Sequence, residues 1–394
     1  MPLVTSNSDL LDRIKVNDKT ALSTKEASKH SSRELHVGII NMMGSLKATE
    51  LQFLLPIGRI SGHQQIIPHF IKVDGIDYGE NAEYVEENYI TLDEAKEIGL
   101  DAMIATGANS KSVESPNQDE NDHAFSTEAG FYKALESIIE YAESDEGPTS
   151  TLYSCLAFHA YMQIKHGEIR NKLEDKIIGN FDHWVTSVEH PLTEGTSSHF
   201  KMPHGRWNDI EWQQVVDADM KLLAHSDEAG VLLATTNDGL RGVFLQGHPE
   251  YSGGTIYREW RRDFSEMALE RVKNPNKDIK TVPLPKHYLE GKGLELATEF
   301  YNKVEAGELD EQIRKDGKLN VPDHLSQNIM DRTPNVHSSV ANDIIGNWVT
   351  AVFKVTDREY GKPFMDGIDK DNIFDLPEEQ PIYSPVHFDT SDPA

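Results

Sequence analysis

The sequence predicts an α/β protein: a mostly parallel sheet flanked by helices, with further helices added towards the C-terminus. Two observations carry this. From residue 34 to about 270, short apolar runs rich in Val and Ile alternate with stretches whose apolar residues recur at helical spacing, the order that builds a parallel sheet covered by helices. A chain of 394 residues, 38% of them hydrophobic, is long enough to bury a sizeable core.

Each element has its own signal. "ELHVGIINMM" (34–43) is a buried strand that ends at the turn Gly44-Ser45. "KATELQFLLPIGRIS" follows at helical spacing, its later part shaped by Pro56. "QQIIPHFIKVDG" reads as a second strand, and "TLDEAKEIG" as a short helix with a Thr91–Glu94 capping box. "LDAMIATGAN" (100–109) is a third strand running into a glycine turn, and residues 126–144 an amphipathic helix. "STLYSCLA" is a fourth strand, and "FHAYMQIKHG" a helix closed by Gly167. "AGVLLATTNDGLRGVFLQGHPEY" reads as two strands around the Asn-Asp-Gly turn at 237–239. A helix follows in "TIYREWRRDFSEMALERV", and residues 338–355 carry an apolar helical stripe. Residues 1–33 are polar without sustained periodicity and read as a flexible N-terminal arm. Residues 34–355 read as one domain with a helical C-terminal part from about 285, and 356–394 as an acidic, mostly irregular tail.

The formal net charge of −28 argues against nucleic acid and against anionic membrane surfaces, both of which demand cations. No run is apolar and long enough for a membrane span. The N-terminus has no signal-peptide pattern, so the expected location is cytoplasmic. The single cysteine excludes an intrachain disulfide framework and a cysteine zinc cluster, and no metal site is expected.

That cysteine, Cys155, stands where an apolar strand turns into a helix. Taken alone, a cysteine in an apolar run is most often a small buried residue. Its position says more. A helix N-terminus offers unpaired N–H groups and positive partial charge, which favour a thiolate nucleophile. The N–H of Leu156 can hold an oxyanion there. Directly after the apolar run "GVFLQG" stands "HPE". Extended backbone at Pro249 points His248 and Glu250 to one side, so the carboxylate can orient the imidazole. A strand-to-helix cysteine together with a strand-end His-Pro-Glu favours a Cys155–His248–Glu250 triad.

These residues resemble the homoserine O-acyltransferases of the transsuccinylase type, whose core is similar to class I glutamine amidotransferases. "VGIINMM", "KATELQF", "IATGAN", "YSCLAFHAY", "MPHGRW", "GHPEYSGGTIYREWRRDF" and "VHSSVANDIIGNWV" occur in the family's order across most of 34–355. The resemblance implies Cys155 as nucleophile, His248 as base and Glu250 as its partner. It implies Arg262 as the cation that binds the amino-acid carboxylate, with Arg206, Lys47 and Gly205 as further substrate-binding candidates. Asn109 and Lys111 fall in the loop that helps choose the acyl donor in the family. The sequence departs from the family at several points. Gly44 replaces a proline and Lys47 is shifted by about one place. Leu156-Ala157 follows the cysteine where Trp-Gly is usual, and Gly205 replaces the serine of Pro-His-Ser-Arg.

The implied chemistry is ping-pong transfer from an acyl-CoA, succinyl-CoA or acetyl-CoA, to the hydroxyl of homoserine in methionine biosynthesis. The acyl-CoA is a co-substrate, and no bound cofactor is expected. The expected partners are these small molecules and a second copy of the chain in a homodimer. Serine or another hydroxy amino acid is the nearest alternative acceptor. A glutamine amidotransferase-type hydrolase uses the same triad, and a non-catalytic binding protein could use the same scaffold.

Overall fold

A computed structural model describes residues 2–17, 20–30, 32–60, 64–108, 124–127, 130–187, 189–330, 335–357 and 364–377. The flexible arm expected over 1–33 is corrected. Strands β1 (Val4–Thr5) and β2 (Leu22–Ser23) pair in parallel. Helix α1 (Ser8–Lys15) starts on Asn7, whose side chain accepts from the Leu10 N–H, and α2 (Thr24–Ala27) starts on a Ser23–Glu26 capping box. Leu3, Leu10 and Ile14 are buried in the main core. A single Leu-x-x-x-Ile pair among Ser, Asp, Asn and Lys is too short a stripe to show as periodicity. Tertiary packing holds so short a helix, not propensity.

Strands β3 (Glu34–Met42), β4 (Gln65–Lys72), β5 (Ile90–Thr91), β6 (Ala102–Ala108) and β7 (Ser150–Ser154) run parallel. Helices α3 (Leu46–Gly58), α4 (Ala82–Asn88), α5 (Leu92–Ile98) and α6 (Gly130–Glu143) occur between them. Then come α7 (Leu156–His166), β8 (Asn171–Val185), β9 (His199–Asp209), α8 (Trp212–Asp217), β10 (Lys221–Ser226), β11 (Gly230–Thr235) and β12 (Gly242–Leu245). The sheet order is β5-β4-β3-β6-β7-β12-β11-β10-β8-β9. β12 returns beside β7 and parallel to it, while β11, β10, β8 and β9 join antiparallel. On β3, Leu35, Val37 and Ile39 join one core layer, and Ile40 and Met42 the layer on the opposite face. This two-sided burial explains why the parallel strands read as continuous apolar runs.

The Thr91–Glu94 box and the left-handed Gly167 cap form as the sequence predicts. The long antiparallel pair β8–β9 is a finding of the structure. Its strands are rich in Lys, Asp, Glu and His, so their pattern matches neither a buried strand nor an amphipathic one. At Gly179 φ is +145°, and a Cβ there would lie 2.7 Å from the Lys286 backbone nitrogen, so only glycine lets that crossing segment pair.

Helices α9 (Thr255–Lys273), α10 (Gly291–Glu305), α11 (Asp310–Asp316) and α12 (Asp323–Met330) form a third core with Ile178 of β8. Helix α13 (Ser338–Val355) packs on α3, and its buried Trp348 donates to Ser150 Oγ at 2.8 Å, at the start of the strand that leads to Cys155. Residues 364–377 hold neither helix nor strand, yet Phe364 and Ile373 are buried and the Ile373 N–H donates to Asp238. Among the described residues no helix is long and apolar enough to cross a membrane.

Candidate active site

Cys155 lies at the carboxyl end of β7, between β6 and β12, where open α/β sheets place their sites. Its φ is +49° and ψ −106°. This left-handed backbone on a non-glycine residue costs on the order of 1–3 kcal/mol. The Cys155 N–H donates to Leu245 O of β12 at 2.7 Å, and α7 begins at the next residue. The turn forms without the glycines that usually flank such an elbow. Small, fully buried Ala157 lies on its helix side, and Gly107 of β6 lies against it. A Cβ at Gly107 would stand 3.8 Å from both Cys155 Cβ and the Leu156 nitrogen. Leu156 N–H, first in α7, is thus an unpaired helix donor beside Cys155.

The segment after β12 carries His248 and Glu250. The His248 N–H donates to Pro203 O of β9 at 2.9 Å. Its Nδ1–H donates to Glu250 Oε1 at 2.8 Å, and its ring stacks on Tyr251 with centroids 4.2 Å apart. His248 and Glu250 are both buried. Nε2 has no partner in ordinary hydrogen-bond alignment, yet the Cys155 thiol is close enough to couple to it. Burial alone would lower the proton affinity of His248. The Glu250 charge, with the contributions of Cys155, outweighs it and holds the imidazole well above its ordinary value.

A raised value gives a signed expectation. His248 stabilises the fold fully below about pH 6.5, and that contribution is lost as pH rises through the folded-state value. In Glu250→Gln the carboxylate charge is gone and burial pulls His248 below its ordinary value. The variant is therefore expected to be more destabilised at pH 6 than at pH 9 by thermal melting. Its turnover is expected to fall by about 10²- to 10⁴-fold through the loss of imidazole orientation.

"PHGR" forms the wall behind this pair. Pro203 accepts from His248, as above. His204 Nε2 bonds His183 Nε2 at 2.9 Å, and its Nδ1 accepts from Arg206 at 2.6 Å. A Cβ at Gly247 would lie 2.8 Å from His204 Nε2 and 2.6 Å from Leu232. Since His204 is bonded on both sides, it cannot give way. Gly247→Ala is expected to lower stability by about 1–3 kcal/mol and to displace His248, which thermal melting and turnover would both register.

Arg206 itself is corrected as a substrate-binding candidate. It is buried, and its two terminal nitrogens donate to His204, to Asp209 at 2.9 Å and to Ala229 O at 2.6 Å, so both are bound within the fold. Lys47 is half-exposed on α3, its ammonium 4.6 Å over the Tyr84 ring and 3.8 Å from Asp9. Asn109 and Lys111 lie outside the described residues.

Beyond Tyr251 the structure gathers a charged cluster that sequence reasoning missed, apart from Arg262. Tyr251 Oη donates to Glu259 Oε2 at 3.0 Å, and Lys176 Nζ donates to Glu259 Oε1 at 2.6 Å. Lys176 also pairs with Asp263, which accepts from Arg262 Nε at 2.6 Å. The Lys176 side chain is only 2% exposed. Burial would discharge it, but Glu259 and Asp263 outweigh that and raise its proton affinity. The Arg262 side chain is 59% exposed. Gly205 belongs here: a Cβ there would lie 2.7 Å from the Glu259 carboxyl carbon. The Ser-to-Gly departure thus makes room for that carboxylate. The i, i+4 pair Glu259–Asp263 was a legible one-face signal. Lys176, within the polar β8, gave none. Among the described residues, no group of three or more His, Cys, Asp or Glu could hold a metal.

The family described as homoserine O-succinyltransferase matches residues 3–358. The homoserine O-succinyltransferase of Thiobacillus denitrificans is 36% identical over 380 residues, which cover 95% of this chain and 100% of the relative. That of Allochromatium vinosum is 35% identical over 382 residues, 95% and 99% of the two chains. Nitrosococcus oceani has one 34% identical over 381 residues, again 95% and 99%. Among solved structures, a glutamine amidotransferase from Thermotoga maritima, 9% identical, aligns with a TM-score of 0.43 over 81% of this chain and 97% of its own.

Proposed function

Because the chain belongs to the homoserine O-succinyltransferase family, an acyltransferase family, we propose that it transfers a succinyl group from succinyl-CoA to the side-chain hydroxyl of homoserine through a Cys155 thioester. One observation supports the covalent route above all: a strained, partly exposed cysteine at a helix N-terminus coupled to a histidine that Glu250 holds at 2.8 Å. The Cys155 thiolate attacks the thioester carbonyl, and the oxyanion is met by the Leu156 N–H. The carbon–sulfur bond to CoA breaks, and the His248 imidazolium gives its proton to the departing thiolate. The homoserine hydroxyl then attacks the acyl-enzyme as His248 takes its proton. Collapse of the second tetrahedral intermediate returns the thiolate and frees the O-acyl amino acid for methionine biosynthesis.

The charged cluster beside the triad suits an amino-acid acceptor. Arg262 offers a guanidinium for the α-carboxylate, and Glu259 and Asp263 offer acceptors for the α-ammonium. The test is release of free CoA, followed with succinyl-CoA and acetyl-CoA in turn, without acceptor and then with homoserine or serine. A stoichiometric burst without acceptor and sustained turnover with succinyl-CoA plus homoserine support the reading. No burst and a strict requirement for a ternary complex, or ammonia release from glutamine in place of acyl transfer, would overturn it.

A further inference from the structure

The N-terminal helix makes a polar connection to the nucleophile loop. Glu50 of α3 is fully buried, its side chain 0% exposed. Its only cationic partner among the described residues is Arg13 of α1, whose Nη2 lies 2.8 Å from Oε2. The Tyr89 hydroxyl donates to Glu50 Oε1 at 2.9 Å and accepts from Asn41 Nδ2 at 3.1 Å. Asn41 is buried at the end of β3. Its Nδ2 also donates to Leu46 O, and its Oδ1 accepts from the Met43 N–H at 3.2 Å, so one side chain ties both ends of the turn between β3 and α3. Within that turn the Met42 N–H donates to Thr106 Oγ1, which in turn donates to Gly107 O at 2.8 Å. The Met43 sulfur lies 3.8 Å from the position of a Gly107 Cβ, as do Cys155 Cβ and the Leu156 nitrogen.

We propose that Arg13 is a positioning residue for the acyl-donor half of the reaction: by neutralising the buried Glu50 it holds Tyr89 and Asn41, and through them the turn that seats Gly107 against the nucleophile. Without Arg13, Glu50 keeps only the hydroxyls of Tyr84 and Tyr89 and must draw in water or move, and Tyr89 links that change to Asn41 and the turn it ties. The other wall is independent of it. Cys155 is fixed by Leu245, His248 by Pro203 and Glu250, and the acceptor cluster by β8 and α9. Disturbing Arg13 should therefore affect the thioester side selectively. The inference rests on the acyl transfer proposed above.

Arg13→Ala, Tyr89→Phe and the double variant Arg13→Ala/Glu50→Gln separate positioning from general stability. Three quantities are read on the full chain: kcat/KM for succinyl-CoA in net transfer to homoserine, KM for homoserine, and the rate of Cys155 alkylation by iodoacetamide. Arg13→Ala and Tyr89→Phe are expected to lower the donor kcat/KM by about 10- to 100-fold, leaving the other two quantities within about 2-fold. Removing the Glu50 charge in the double variant is expected to restore donor kcat/KM to within about 3-fold of the parent. The proposal is overturned by an unchanged donor kcat/KM in Arg13→Ala, by a parallel fall in alkylation rate, or by a double variant no better than the single one. Absence of an acyl-enzyme in the parent protein would strike the covalent reading alone, because the donor kcat/KM is taken from net transfer.

Discussion

Cys155→Ala is expected to lower homoserine acylation by about four orders of magnitude or more, with thermal stability changed by no more than about 1 kcal/mol. The activity term follows from the chemistry. No other cysteine exists in the chain, and a triad acts as a unit, so losing the nucleophile forfeits nearly all of its contribution. The stability term follows from the backbone. Alanine keeps the strain of φ +49°, while the partly exposed thiol leaves little packing to lose. Cys155→Gly relieves that strain and is expected to melt above the parent while remaining equally inactive. A steady-state assay of free CoA and a melting curve on the same preparations check both. Retention of a tenth of the parental activity by either variant would exclude Cys155 as nucleophile.

Acidification should unfold this protein early, between about pH 6 and 4.5. His159, His183, His190 and His204 are buried. Burial is the main cause that holds His159 and His183 down to about 3, His190 to about 4 and His204 well below its ordinary value. In the unfolded chain each titrates near 6.5. The unfolded state therefore binds more protons below that pH, and stability is lost as pH falls from 6.5 towards the folded-state values. At pH 5 His159, His183 and His190 each cost about 2 kcal/mol. Together they reach about 6 kcal/mol, with His204 acting in the same direction, which is comparable with the whole stability of a typical domain, about 5–15 kcal/mol. His248, whose value is raised, contributes a near-constant amount in this range, and Asp101 and Asp343, both raised by burial, oppose the trend. Far-UV circular dichroism and melting temperature from pH 7 to 4 test this. A melting temperature flat between pH 7 and 5 would contradict it.

One of these histidines shows where sequence reading reaches its limit. His204 stood in "MPHGRW", a segment quoted only for its likeness to a family motif, yet its work is to brace Gly247 and Arg206 from below. That role depends on β9 lying beside β8 and behind β12, a long-range pairing that no local pattern encodes. Arg206 was misread because its neighbours lie partly off its own strand: beside Asp209, three residues on in β9, it is held by Ala229 O from the turn between β10 and β11. The parallel strands, by contrast, were legible, because burial on both faces writes itself as continuous Val and Ile. Cys155, His248 and Glu250 were legible because each stands at the end of such a run, where the chain must turn and its side chains must converge. Lys176 was hidden within a polar strand, and Arg13 within a segment whose two buried apolar residues on α1 left no periodic trace.

The most direct test of covalent acyl transfer is the intact mass of the protein after brief exposure to succinyl-CoA and, separately, to acetyl-CoA, with no acceptor present. The parent chain should gain one succinyl group with succinyl-CoA, the adduct should discharge on addition of homoserine, and Cys155→Ser should gain no thioester adduct. An unmodified parent mass under conditions of active turnover, or an adduct that persists unchanged in Cys155→Ala, would contradict a Cys155 acyl-enzyme.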